Sequence, residues 1–591
     1  MRNLVYALLI TGTLSMTGCT LPQMVKMAKE QQLTVTPNPL EVHKDTVAYE
    51  MAVNLPVKML KKGTVYTVNS YYKFGDQEIA LEPIPFKAED FPNSSTEQPR
   101  VTRKFTFAYT PAMKSGVLQV EGVASKGNGS KTTPRMDVAV GVITTSKLVK
   151  PVYYSAYAEH GYNNQEEIIP IIIPDFIFEQ GRSVLRTSEI KSDKGKQLDA
   201  FIASKNVTRT VTITGTHSPE GAERINSKLS PDRAAAIEKY YRGQMNKYDY
   251  QNMAKDIQFV LKPVIRDWAE FKAALAAYDG ISSEEKAEYL NIMNAGGTFE
   301  SQEKQMTKLK TYRKVFKDIY PKLRTAKTEI LTIKDKKTDA EISILAKQIT
   351  TGQTSPDTLS FEELMYSATL TPSVDEKAAI YEAATKKGTY WNAHNNLAAA
   401  YIAQAIQNPS NASSLMDKAQ AQLDIANRIK ASPEANANMA SVSLFKKNAY
   451  AASAQANKAI SGGLRGENLA GVNGVKTAAG IMTANYAEAV RSGAASANTA
   501  DNAFNRGLAQ VLNKDYQNAL TSFGEATRAN SNHAHAYYGA AVASARLGNQ
   551  DGVISNLTNA VRIDPSLKNA ALTDLEFSKW ATSEAFRNAL R

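Results

Sequence analysis

The sequence predicts a multidomain protein: an N-terminal all-β sandwich, a central α+β domain and a C-terminal all-α solenoid of helical hairpins. Three observations lead there. The 591 residues exceed what one core can organise and imply roughly three to five folding units. The hydrophobic period changes twice: every second residue before about residue 155, then alternating strand and helix segments, then an Ala-rich helical texture from about residue 361. Within that last part a 34-residue spacing of small and bulky residues repeats. With 43% hydrophobic and 22% charged residues, the composition excludes long disorder and a multi-span membrane protein.

Residues 1–18 place Arg2 before an apolar run from Leu4 to Ile10 and then small residues, the layout of a secretory signal. Cys19, the single cysteine, follows Met16, Thr17 and Gly18. This resembles the lipobox of bacterial lipoproteins, with Met where Leu is commoner. The resemblance implies cleavage before Cys19, diacylglycerol on its sulfur and a fatty acyl group such as palmitate on its new amine. Thr20 instead of Asp after the cysteine implies export to the outer membrane, leaving the protein lipid-anchored and mainly on the periplasmic face. Several acyl chains hold stably where one would not. Residues 19–32 are then a lipidated tether, and with no second cysteine the mature chain has no internal disulfide.

Residues 33–155 read as the sandwich: "TVYTVNSYYKF", "VTRKFTFAYT" and "GVLQVEGVAS" alternate apolar and polar between Pro, Gly and Asn turns. A spacer or docking role suits such a domain. From 156 to 340 the order is β-α-β-α-β. "PDFIFEQGRSVL" is a strand and turn, "SDKGKQLDAFIASKN" a helix capped by Ser192, "TRTVTITGT" a second strand, and "DIQFVLKPVI" a third. Before the third strand, Ser230 as N-cap, Pro231 and Asp232 mark a helix start. A helical insertion at about 267–320 precedes a final strand in "YPKLRTAKTEILTIK", because fifty residues of irregular loop would be unusual. Residues 341–360 read as a linker.

In residues 361–591, Gly507, Ala519, Phe523 and Ala526 are answered 34 residues on by Ala541, Val553, Leu557 and Ala560, with Pro565 closing the unit. This resembles the tetratricopeptide repeat (TPR), with two good copies and two or three degenerate ones, among them "NNLAAAY" with Ala419, Leu423 and Ala426. The resemblance implies a concave surface for protein partners. "DLEFSKWATSEAFRNAL" reads as a terminal cap.

The stretch "TGTHSPEGAERINSKLSPDRAAAI" carries the most chemistry. Gly215, Gly221, Asn226, Leu229, Ser230, Arg233 and Ala234 keep the spacings of the OmpA-like peptidoglycan-binding domain, which the region resembles over about 170 residues, insertion included. In that family an Asp and an Arg fifteen residues apart grip the zwitterionic end of the wall stem peptide: a carboxylate meets the amine and a guanidinium the carboxylate. Arg233 matches the arginine and Asn226 the nearby asparagine, but Ser218 stands at the Asp place. The region is similar to a "SPEG" variant found in Bacteroidota-type envelope lipoproteins, some beside fimbrial or secretion genes. Three readings follow from Ser218: Glu220 or Glu223 supplies the missing carboxylate, the pocket binds the wall weakly through Arg233 and Asn226, or it binds something else. His217 reads as a turn residue.

Net charge is +12, with twelve Lys or Arg against four Asp or Glu from Ser301 to Lys337. No aromatic-studded recognition motif accompanies that run, so a solvated helix face is expected and no nucleic acid. No enzyme is expected either, and no cofactor or metal. "HAH" at His533–His535 lacks a third ligand, "GVNGVKT" at 471–477 lacks the spacing and preceding strand of a phosphate loop, and "HGYNN" at His160 lacks partners. The combined expectation is an outer-membrane lipoprotein that ties the membrane or an envelope machine to peptidoglycan and recruits a protein partner on its repeats. The alternative is an assembly scaffold of a secretion or fimbrial system that does not bind the wall.

Overall fold

The computed structural model describes residues 20–250, 253–264 and 268–591, so the signal segment and Cys19 lie outside the described residues. The chain forms two compact units. One combines the residues up to Tyr162 with Asp339–Arg591, and the other is Asn163–Thr338.

The first unit begins with a helix, Thr20–Met27, whose Leu21 and Met24 are buried in the sandwich core. The expected tether is therefore a folded part of the sandwich, because both apolar side chains fall on one helix face. Two sheets follow. In one, Thr46–Asn54 is flanked by Arg100–Ala108 on one side and by Gln32–Thr36 and Leu40–His43 on the other. In the other, Val65–Phe74 and Val117–Lys126 pair along their length. Alternation puts Tyr66, Val68, Tyr72, Leu118 and Val120 inside, each at most 2% exposed. The Tyr72 hydroxyl donates to the Met113 carbonyl at 2.7 Å, satisfying its one polar atom. The pairs described so far are antiparallel, whereas Val142–Ile143 runs parallel to Leu40–Glu41.

Residues 391–563 form five helical hairpins among the described residues: Trp391–Gln407 with Ala412–Ile429, Pro433–Phe445 with Ala449–Ser461, Gly466–Met482 with Tyr486–Ala494, Ala500–Leu512 with Tyr516–Ala529, and Ala534–Arg546 with Gln550–Ile563. Four of the turns share one design. Lys447, Ala484, Lys514 and Gly548 take left-handed φ, and the N–H of the next residue (Asn448, Asn485, Asp515, Asn549) donates five residues back at 2.8–2.9 Å. The repeat positions read from the sequence, from Ala519 to Ala560, are buried as expected. Gly507 and Gly539 are small because a Cβ at either would lie within 2.8 Å of the Phe523 ring. The expected linker is largely structured: Asp339–Thr350 is a helix with Ile342, Ala346 and Ile349 buried against Leu364 and Met365. At the far end Phe577, Trp580 and Phe586 close the core.

The second unit has a four-stranded sheet in the order Ile168–Ile177, Thr325–Ile333, Thr208–Gly215, Gln258–Pro263. The last strand in sequence is thus inserted between the first two, antiparallel to both, and Thr208–Gly215 runs parallel to Gln258–Pro263. The helix Asp193–Ala203, capped by Ser192, buries Leu198 and Ile202, and the helix Glu223–Lys247 buries Ala234, Ile237, Tyr241 and Met245. The predicted helix start at Ser230 is corrected: the helix begins at Glu223, and Pro231 lies inside it. Ser230 does not cap. Its hydroxyl donates to the Gly215 carbonyl and to the Val264 carbonyl at 3.0 Å, fastening helix to strand ends. Gly215 permits that approach, since a Cβ there would meet the Ser230 carbonyl oxygen at 2.0 Å. The insertion forms four helices between Ala269 and Asp318 around Phe271, Tyr289, Met306, Val315 and Tyr320.

Candidate functional site

The turn from Thr216 to Ala222 leads from the strand Thr208–Gly215 into the helix Glu223–Lys247, and it gathers the four predicted site residues Ser218, Glu220, Asn226 and Arg233. Their partners are all within the unit. Arg233 is 1% exposed. Its Nη1 donates to the Thr216 carbonyl at 2.7 Å, Nε to Arg182 at 3.1 Å and Nη2 to Glu179 at 3.2 Å. Burial, then the nearby Arg324, pulls its pKa down to about 10. Asn226 donates to the Glu220 and Ser218 carbonyls at 2.9 and 3.4 Å. Both side chains, expected to face a ligand, fasten the turn to its neighbours, because buried carbonyls need donors.

Arg324 completes the cluster, and sequence reading missed it. Its Nε donates to the Ser218 hydroxyl at 2.9 Å and its Nη2 to Glu220 at 2.8 Å, with both ion-pair side chains largely buried. In "YPKLRT" nothing distinguishes this arginine from its basic neighbours. The Ser218 hydroxyl thus faces a cation belonging to the chain. Glu303, from the insertion, accepts from the Tyr312 hydroxyl at 2.5 Å, and burial together with the Glu220 charge pushes its carboxyl up. His217 bonds the Ser218 carbonyl through Nδ1 at 2.9 Å and lies edge-on to Phe299 at 5.8 Å; burial holds its pKa down. Glu223 is the first residue of the helix Glu223–Lys247.

The histidines and the glycine-containing stretch singled out elsewhere have places within the fold. The Nδ1 of His533 accepts from the Ala536 N–H at 3.0 Å and Nε2 faces Asp501 at 3.0 Å. "GVNGVKT" lies inside the helix Gly466–Met482, and His160 accepts from the Tyr162 N–H at 3.0 Å. Among the described residues no group of three His, Cys, Asp or Glu could hold a metal, and no helix is long and apolar enough to cross a membrane.

A second site lies in the groove of the repeats, where residues 149–162 run as an extended strap. The sixth residue of the first helix in four of the hairpins meets it: Asn396, Asn438, Gly471 and Asn505. Three asparagines read the strap's backbone from both sides of the amide. Asn505 bonds the N–H and carbonyl of Lys150 (3.0 and 2.7 Å), Asn438 those of Ala156 (2.7 and 2.8 Å), and Asn396 those of Ala158 (2.7 and 3.0 Å). Ser441 does the same for Tyr154 at 2.9 and 2.7 Å. At Gly471 the Tyr154 ring takes the room, since a Cβ would lie 2.2 Å from it. The protein's own chain thus lies along the first helices of the repeats.

No family model and no curated protein matches the chain. Solved structures of TPR proteins are similar to parts of it. MamA shares 20% identity over 26% of this chain and 92% of its own, with a TM-score of 0.22. YrrB, described as a TPR protein with an unusual peptide-binding site, shares 16% over 40% and 99%, with a TM-score of 0.22. PilW, a type IV pilus biogenesis factor, shares 17% over 44% and 100%, with a TM-score of 0.27. At such scores the assignment rests on the chain's own geometry: hairpins starting at 466, 500 and 534 with one turn design form a TPR-type solenoid.

Proposed function

We propose that this protein is an envelope assembly scaffold: a lipoprotein held at the periplasmic face of the outer membrane through Cys19, which organises protein partners and does not bind peptidoglycan. The central domain, on this reading, is an OmpA-like variant. The observation that carries the proposal is the pairing of Arg324 with Ser218 and Glu220. In the family that the motif resembles, the Asp place meets the ammonium of the stem peptide; here an internal guanidinium meets that place. Arg233 is likewise committed to three carbonyls. Partners then bind the repeats outside the strap-filled groove, or the sandwich.

Pull-down on purified sacculi tests this. The full chain is expected to stay in the supernatant. A Ser218→Asp, Arg324→Ala double variant, which restores the acid and removes the internal cation, is expected to gain retention. Retention of the unaltered protein that Arg233→Lys abolishes would overturn the proposal and make the protein a wall anchor.

A further inference from the structure

Within the first unit, a cleft of about 540 Å³ lies where the sandwich meets the repeats, a size common for small-molecule sites. Three pieces of chain wall it: the hairpin tip at Lys44 and Asp45, the stretch from Ser146 to Tyr153 that leads into the strap, and the helix ends and turns at 444–450 and 481–483. The walls are largely apolar. The Tyr153 ring stands edge-on to Phe445 at 5.8 Å, and Tyr450 is 57% exposed.

The charge at this cleft is one-sided. Asp45, the acidic residue of the lining, is paired with Lys147 at 2.5 Å. Lys44 and Lys447 have no carboxylate within ion-pair distance among the described residues, and the Lys44 ammonium lies 4.6 Å from the Tyr450 ring centroid. Two uncompensated ammonium groups beside an aromatic and aliphatic wall suit a ligand with both characters. A fully hydrated anion gains nothing from the wall, and a neutral apolar body gains nothing from the lysines.

We propose that this cleft binds a small amphiphilic anion, an apolar body carrying one carboxylate, with the body against Tyr153, Phe445 and Tyr450 and the carboxylate met by Lys44 and Lys447. Calorimetric titration of the full chain with decanoate, and with decanol as the neutral control, tests it. One saturable decanoate site is expected, with decanol weaker by about tenfold or more. Lys44→Ala with Lys447→Ala is expected to weaken decanoate about tenfold and leave decanol unchanged. Tyr450→Ala is expected to weaken decanoate while Lys205→Ala, an exposed lysine of the second unit, does not. All four positions are exposed, and thermal unfolding of each variant checks its fold. Equal binding of decanol, indifference to the double lysine substitution, or no saturable decanoate binding below its micellar concentration overturns the proposal.

Discussion

Ser218 and Arg324 stand 106 positions apart and meet at 2.9 Å, and that one contact ties the conspicuous motif to the residue that precedes the strand Thr325–Ile333. A serine cannot balance a buried guanidinium, so Glu220 supplies the charge at 2.8 Å. Glu303 adds a second buried carboxyl, 8% exposed, whose pKa is raised first by burial and then by Glu220. A folded-state pKa above the unfolded one means that stability is fully present below the unfolded value and lost as pH rises through the folded value. The central unit is therefore expected to lose stability as pH climbs from the ordinary carboxylate range past the raised value. Glu303→Gln should flatten that dependence and stabilise the unit near neutral pH. Urea unfolding at several pH values, followed by hydrogen exchange in 299–333, checks this; an unchanged slope counts against it.

At the scale of elements, the asparagine row explains the strap. An extended segment in a groove has amides that neither helix nor sheet can satisfy, and each buried pair left unmet costs roughly 1–3 kcal/mol per group. Asn438, 0% exposed, meets both groups of Ala156. Asn438→Ala is expected to destabilise the first unit by about 2–4 kcal/mol. It should also open residues 150–158 to proteolysis, where mass spectrometry of the fragments locates the cut. Glu223–Lys247 shows the limit of local signals at this scale. Ser-Pro-Asp is a strong helix start by itself, yet the strand end at Gly215 drew Ser230 into the packing, and the start moved to Glu223. The packing positions of the last two repeats were more legible, because Ala519, Phe523 and Ala526 recur 34 residues on as Val553, Leu557 and Ala560.

At the scale of the whole molecule, the sandwich and the last repeat of the first unit share a partly buried charge group. Arg546 donates to Glu41 at 2.8 Å and to Glu576 at 2.6 Å, and Thr145 donates to Glu576 at 2.6 Å. Burial opposes ionisation of Glu41, but His43 and Arg546 outweigh it and hold its pKa at about 2. Arg546→Ala leaves Glu41 with His43 and Glu576 with Thr145 but removes their shared cation, and is expected to cost about 2–4 kcal/mol. Its diagnostic is coupling: amide exchange should quicken together in 40–54 of the sandwich and 534–563 of the repeats. Faster exchange in the repeats alone would mean that the two domains are thermodynamically separate.

The sequence by itself determined the order of textures, the alternating strands, the 34-residue repeat and the gathering of Ser218, Glu220, Asn226 and Arg233 at one turn. These are short-range properties, set by side-chain period and by spacing along single elements. Only the tertiary structure decided that Arg324 faces Ser218, that the strap fills the groove, and that the sandwich and solenoid share one charge network. Each of those joins residues more than a hundred positions apart. A buried donor takes whichever acceptor the fold brings within 3 Å, and no local pattern records that choice.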